Sequence, residues 1–217
     1  MSRLGQIVII AIGVLLTTAV QAGPAAAESD KAEGLFQQHC ATCHGTDRLG
    51  GTGPALLPEN LKRLRPKAAA RVITAGRAAT QMPGFAEKLS EAEIASLADY
   101  VYTPLPEVPQ WRMAEIRDSH ILHNPLDKLG DTPVFKADML NLFVVVEVGD
   151  HHATILDGDT FEPIHRFPTR FALHGGPKFS RDGRFVYFAS RDGWITKYDI
   201  YNLKPVAEVR AGINTRN

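Results

Sequence analysis

The sequence predicts a multidomain chain, an all-α domain followed by the first blades of a β-propeller. Three observations predict it. A single Cys-x-x-Cys-His motif sits among helical patterns in the first half. Two stretches of the second half match each other without gaps at a constant offset of 42 residues. A proline-rich segment from Pro104 to Pro109 separates the two regions. The boundaries expected from this reading are 1–27 for a leader, 28–104 for the helical domain, 105–140 for a linker and 141–217 for the start of the propeller.

The chain has 217 residues, 24 basic and 24 acidic side chains and 44% hydrophobic content. That balance suits a folded protein and offers no basic track for nucleic acid. Arg3, the apolar run Ile7 to Val20 and the small-residue sites Val20-Gln21-Ala22 and Ala25-Ala26-Ala27 read as a signal peptide. The competing reading is an uncleaved anchor, but the run is shorter than the roughly 20 residues of a membrane span. No second apolar stretch of spanning length follows. The mature protein is therefore expected in the periplasm, with no membrane span after cleavage and no nucleic-acid partner.

The only two cysteines are Cys40 and Cys43, in His39-Cys40-Ala41-Thr42-Cys43-His44-Gly45. Cys-x-x-Cys-His is the attachment signature of c-type haem. Two residues on a helical turn space the sulfurs for the two vinyl groups on one porphyrin edge, and the following His44 reaches the iron. A thioredoxin-like site would need a βαβ setting, and a zinc site four ligands. Neither pattern surrounds these cysteines.

Lys31 to Gln38 is expected to be the helix leading into the motif. Glu59 to Ala75 is helix-friendly with an interruption at Pro66 and ends before Gly76. Ser90-Glu91-Ala92-Glu93 is a capping box opening a helix to about Tyr102, which Pro104 and Pro106 stop. Met82, in the turn-rich Gln81-Met82-Pro83-Gly84, is the expected sixth iron ligand, against the alternative of a core methionine. Gly53-Pro54 resembles the segment of Met/His cytochromes whose carbonyl holds the other nitrogen of the ligand histidine.

In the second half, Phe143-Val144-Val145-Val146 falls on Phe185-Val186-Tyr187-Phe188, Asp150 on Asp192, Thr154 on Thr196, Asp157 on Asp199 and Pro163 on Pro205. Each unit reads as strand, turn, strand, turn, strand, and Ser180 to Arg184 adds a hairpin before the second unit. A period of roughly 40–45 residues with several strands per unit marks a propeller. A propeller closes with about 4–8 blades, and fewer than two fit here, so an N-terminal fragment of a longer chain is expected. The competing reading is a small complete β-sandwich, which would leave its strand edges exposed.

The order of the two parts, with Ile73-Thr74-Ala75-Gly76 before Met82-Pro83, Gln110 to Glu115, Asp157-Gly158-Asp159-Thr160 and Phe171-Ala172-Leu173-His174, resembles the cytochrome cd1 group from about Phe36 to Asn217. That resemblance implies an eight-bladed propeller holding a noncovalent haem d1 or dihydro-haem d1, beside covalent haem c. It implies His174 as the proximal iron ligand of the second tetrapyrrole. Gly175 and Gly176 beside it give a flat macrocycle close approach. It also points to Arg191 and Arg216 as partners for the macrocycle's carboxylates, with solvated surface charge as the alternative. The metal ligands expected are thus His44, Met82 and His174, and no catalytic residue is assigned. His120, His123, His151 and His152 match no role.

The group divides into nitrite reductases and a biosynthetic branch that oxidises a propionate of dihydro-haem d1 to an acrylate. Pro177, where the reductases carry arginine, and the stretches His174 to Ser180 and Ser190 to Trp194 look more like the biosynthetic branch. Nitrite reduction to nitric oxide is the alternative, and a simple electron carrier with a docking propeller a further one. Partners implied are an exported electron-transfer protein and other haem d1 maturation proteins or nitrite reductase. Residues 1–217 alone are expected to be inactive, because an incomplete propeller leaves blade faces uncovered.

Overall fold

The computed structural model describes residues 24–107, 109–173 and 176–213. The signal-peptide reading, His174 and Arg216 lie outside these residues. Among the described residues, no helix is long and apolar enough to cross a membrane.

The first domain is built from α1 (Pro24–His39), α2 (Ala41–His44), α3 (Pro66–Ala75) and α4 (Glu91–Tyr102). On α4 the residues Ile94, Leu97, Ala98 and Val101 are buried, and their spacing forms one helical stripe. The expected capping box is present. Ser90 Oγ accepts from the Glu93 backbone N–H, and the Glu93 carboxylate accepts from the Ser90 N–H at 3.0 Å. Phe36 of α1 and Tyr100 of α4 pack with ring centroids 5.5 Å apart. The buried cluster also takes in Ala41, Leu61, Phe85 and Leu89.

One helix differs from expectation. Residues 59–65 form turns, and Pro66 opens α3 instead of interrupting a longer helix. Proline fits the first helical position, where its missing N–H has no partner to lose, and it drives the preceding Arg65 into extended backbone, with ψ 151°.

The second domain holds two antiparallel sheets. Strands β2 (Leu142–Glu147), β3 (His152–Asp157) and β4 (Pro163–Pro168) form the first, in that order. The second takes β5 (Lys178–Phe179), β6 (Phe185–Ala189), β7 (Trp194–Asp199) and β8 (Lys204–Arg210). The 42-residue repeat reaches fine detail. The β3–β4 ladder shifts register at Ile155/Leu156 and the β7–β8 ladder at Lys197/Tyr198. Leu156 pairs with Pro163, and Tyr198 pairs with Pro205. Proline has no N–H to give a ladder, so pairing slips at the same place in both units.

The two sheets pack face to face as neighbouring blades. Ala153, Ile155 and Phe167 from the first meet Val186, Phe188 and Tyr198 from the second, and the Phe167 and Tyr198 rings stack at 4.0 Å. The expected hairpin at Ser180 to Arg184 is present, closed by the Ser180 N–H on the Phe185 carbonyl at 2.9 Å.

The stretch 105–140 is built into the fold. It contributes α5 (Met113–Asp118) and β1 (Ile121–Leu122), and β1 pairs antiparallel with β8 to make a fifth strand of the second sheet. A two-residue strand carries no periodicity, so no residue pattern marks it. His123, just after β1, has a structural place too. Glu208, 9% exposed on β8, accepts from His123 Nε2 at 2.9 Å, from Arg170 at 2.7 and 3.0 Å, and from Thr196 at 2.7 Å. Arg170 also lies over the Trp194 ring at 3.9 Å. One carboxylate thus ties β8 to the end of the first sheet and to the 105–140 stretch.

Burial opposes ionisation of Glu208, but the hydrogen bonds from Arg170, His123 and Thr196 outweigh it and hold its pKa below the ordinary carboxylate value. A depressed folded pKa stabilises above the unfolded value, and that contribution is lost as pH falls through the folded one. Glu208→Gln leaves Arg170 without its counter-ion. Because Arg170 is partly exposed, the expected cost is about 1–3 kcal/mol at pH 7. Thermal unfolding followed by circular dichroism should show this loss at pH 7 and a smaller difference from wild type as the solution is acidified.

Candidate functional site: the Cys-x-x-Cys-His segment and its facing loop

Helix α1 ends at His39, and the chain turns directly into the four-residue α2. The Cys43 and His44 N–H groups both return to the Cys40 carbonyl, at 3.1 and 2.9 Å. This turn puts Cys40 half-buried, Cys43 exposed and His44 inward at 6% exposure. No disulfide joins Cys40 to Cys43. Burial, reinforced by Cys43 nearby, pushes the Cys40 thiol up to about 11. A redox-active Cys-x-x-Cys needs a lowered thiol pKa, so the site is unsuited to disulfide exchange.

His44 Nδ1 lies 2.8 Å from the Pro54 carbonyl. A carbonyl only accepts, so Nδ1 carries the proton and the Nε2 lone pair is left for a metal. Burial lowers the His44 pKa, with the Pro54 hydrogen bond working against that shift. The imidazole is therefore neutral at pH 7, the form that ligates iron. The Gly53-Pro54 contact expected from sequence is present.

The loop after α2 is held from several sides. The Gly53 N–H donates to the Cys43 carbonyl at 2.7 Å, and the Gly50 N–H to the His44 carbonyl at 2.9 Å. Arg48, 3% exposed, donates to the Tyr100 and Thr103 carbonyls at 2.7 and 2.9 Å, fastening the loop to the end of α4. Gly53 presses on the histidine, since a Cβ there would sit 2.8 Å from His44 Cε1 and 2.9 Å from Nδ1. Gly53→Val should turn the imidazole off its hydrogen bond. The expected readout is a c-haem spectrum with a large high-spin component at neutral pH, against a low-spin wild type.

Met82 lies in the loop between α3 and α4 and packs half-buried against the helical core. Its carbonyl accepts from the Arg77 N–H at 3.0 Å, and its N–H donates to Thr80 Oγ1 at 3.2 Å. Gly76, at φ 74°, lets the loop close, since a Cβ there would meet Gly84 N at 2.6 Å and the Met82 carbonyl at 2.7 Å. Cys40, Leu56, Leu64, Ile73 and Met82 all remain half-buried against the core. Partly exposed apolar groups with a thiol and a thioether among them suit contact with an apolar macrocycle carrying iron. Among the described residues, no group of three or more His, Cys, Asp or Glu side chains is placed to hold a bare metal ion.

In the second domain, Arg191 is exposed on the β6–β7 turn. Its N–H reaches the Ala172 carbonyl at 3.2 Å, and Leu173 bridges to Ser190. The turn therefore braces the segment that runs into His174. Sequence reading missed Arg210, whose guanidinium joins this turn to the loop after the cysteine motif. Its place in a strand gave no signal.

Comparison with known proteins agrees with this two-part architecture. Residues 137–217 match the cytochrome D1 heme domain family, and residues 27–101 match the family described as cytochrome C oxidase, cbb3-type, subunit III. A dihydro-heme d1 dehydrogenase of Pseudomonas aeruginosa is 61% identical over 208 residues, spanning 96% of this chain and 41% of that protein. The chain is a homologue of dihydro-heme d1 dehydrogenase with a cytochrome c-type part and a cytochrome D1 part. A nitrite reductase of Stutzerimonas stutzeri is 27% identical over 221 residues, spanning 95% of this chain and 39% of its own. A solved structure of the dihydro-heme d1 dehydrogenase NirN in complex with DHE superposes with a TM-score of 0.77 and 63% identity, over 86% of this chain and 40% of that one. The chain thus spans about two fifths of the length of these relatives. The chain thus combines a c-type domain, which implies covalent haem c, with a stretch of cytochrome D1 heme domain, which implies a d1-type haem.

Proposed function

We propose that the protein is a periplasmic oxidoreductase of the dihydro-haem d1 dehydrogenase type, acting in haem d1 biosynthesis. The observation that carries this reading is the 61% identity across nearly the whole chain to a dihydro-heme d1 dehydrogenase, against 27% to a nitrite reductase. In this reading a propionate of dihydro-haem d1 loses two electrons and two protons to become an acrylate. Haem c, when bound, would supply the one-electron redox chemistry that passes these electrons on to an exported acceptor.

The chain's own residues take definite parts. Cys40 and Cys43 would anchor haem c through thioethers, and His44, its ring fixed by the Pro54 carbonyl, would offer Nε2 to the iron. Met82 would supply a second ligand, and Met/His ligation raises the reduction potential, as suits an electron acceptor. His174 would ligate the iron of the second tetrapyrrole, and Arg191 and Arg216 would pair with its carboxylates. Other haem d1 maturation proteins, or nitrite reductase as recipient of the product, are the partners this chemistry calls for.

The test is anaerobic incubation of the full-length protein with dihydro-haem d1, followed by visible spectroscopy. Conversion to the haem d1 spectrum with concurrent reduction of the c haem is expected. Tight binding without conversion, together with nitric oxide formation from nitrite and a reductant, would make the protein a nitrite reductase instead.

A further inference from the structure

Among the described residues, Arg210 hydrogen-bonds to both domains. Arg210, at the end of β8, donates from Nη2 to the Leu49 carbonyl at 2.5 Å and from Nε to the Asp192 carbonyl at 2.9 Å. Leu49 belongs to the loop after the Cys-x-x-Cys-His segment, and Asp192 to the β6–β7 turn. The guanidinium lies 4.9 Å from the Trp111 ring centre, and Trp111 Nε1 donates to the Arg210 carbonyl at 2.7 Å. Ser119 Oγ accepts from the Arg210 N–H at 2.9 Å. Gly50 comes so close to the same turn that a Cβ there would touch Asp192 Cβ at 3.4 Å.

We infer that Arg210 is a positioning residue that clasps the c-haem loop onto the β6–β7 turn and completes a hydrogen-bonded route from His44 to Ala172, in the segment that leads towards His174. The route can be followed atom by atom. The Gly50 N–H meets the His44 carbonyl at 2.9 Å, and the adjoining Leu49 carbonyl meets Arg210 Nη2. Arg210 Nε meets the Asp192 carbonyl, and one residue back along the same turn the Arg191 N–H meets the Ala172 carbonyl at 3.2 Å. Ala172 is two residues before His174 in the chain. The assignment of His44 and His174 as iron ligands rests on the proposed function above; the clasp itself does not.

Arginine suits the task because two donors of one rigid plane reach two carbonyls in different domains, which a lysine ammonium on a flexible stem does less well. Burial disfavours the charged form of Arg210, an effect that Asp192 and Asp47 oppose. The charge is therefore kept half-buried by these carbonyls and nearby carboxylates, and losing the guanidinium leaves two carbonyls without a donor.

The experiment uses the full-length holoprotein with Arg210→Met and Arg210→Lys. Hydrogen exchange at residues 47–51 and 190–193 reports the clasp without any second tetrapyrrole. Arg210→Met should raise exchange there by about tenfold or more, as expected for loss of charge-assisted hydrogen bonds. Arg210→Lys should fall between it and wild type. With dihydro-haem d1 bound, c-haem reduction should slow by a comparable factor in Arg210→Met, while the c-haem spectrum, its potential and tetrapyrrole affinity stay unchanged. Unaltered exchange in Arg210→Met would overturn the clasp. Raised exchange with unaltered electron transfer would overturn the route. If the wild-type protein binds no dihydro-haem d1, the proposed function fails, and the exchange data still decide the clasp.

Discussion

Cys40→Ser/Cys43→Ser protein, exported alongside the haem-attachment machinery, should carry no haem after denaturation. Haem staining on a denaturing gel should be positive for the wild type and blank for the double variant. The effect is all-or-none because the two thiols are the only cysteines in the chain and the bond is covalent. The single variants divide the roles. Cys43 is exposed and open to attack from solvent, whereas Cys40 is half-buried against the helical core. Cys40→Ser should also loosen packing at the end of α1, lowering thermal stability more than Cys43→Ser does. Equal haem retention in wild type and double variant would remove the c-haem assignment.

The second large effect is expected at Met82. Met82→Ala should lower the c-haem reduction potential by more than about 0.1 V, a fraction of the roughly 0.8 V range that axial ligands span. It should also open the iron to carbon monoxide in the reduced state, giving a shifted Soret band that the wild type lacks. The substitution is clean for a structural reason. The loop is held by backbone groups of Met82, whose carbonyl accepts from Arg77 and whose N–H donates to Thr80, and alanine keeps both. Potentiometric titration followed at the α band measures the shift. An unchanged potential with no carbon monoxide adduct would return Met82 to the role of a core methionine. In the proposed direction of electron flow, a lowered potential should also slow c-haem reduction by dihydro-haem d1, because the driving force falls.

Much of the fold was legible because it is written in local chemistry. The Cys-x-x-Cys-His spacing is set by a short helical turn, and the capping box at Ser90 is set within four residues. The 42-residue repeat was read from identities alone, and it persists down to the register shifts opposite Pro163 and Pro205. Pro66 was misjudged because a helix-friendly composition on both sides hid the proline's preference for a first position.

What the sequence by itself determined is the pair of domains, the haem-binding motif and the strand repeat, since each depends on residues close together in the chain. Only the tertiary structure decided what the 105–140 stretch does and how the two domains meet. The strand at Ile121–Leu122 exists because β8 offers an edge, and its own two residues carry no pattern. Glu208 gathers His123, Arg170 and Thr196 from separate elements, and Arg210 reaches a loop 161 residues away in sequence. Such contacts depend on distances in space between groups that no local spacing relates, so single side chains in a strand gave no sign of them.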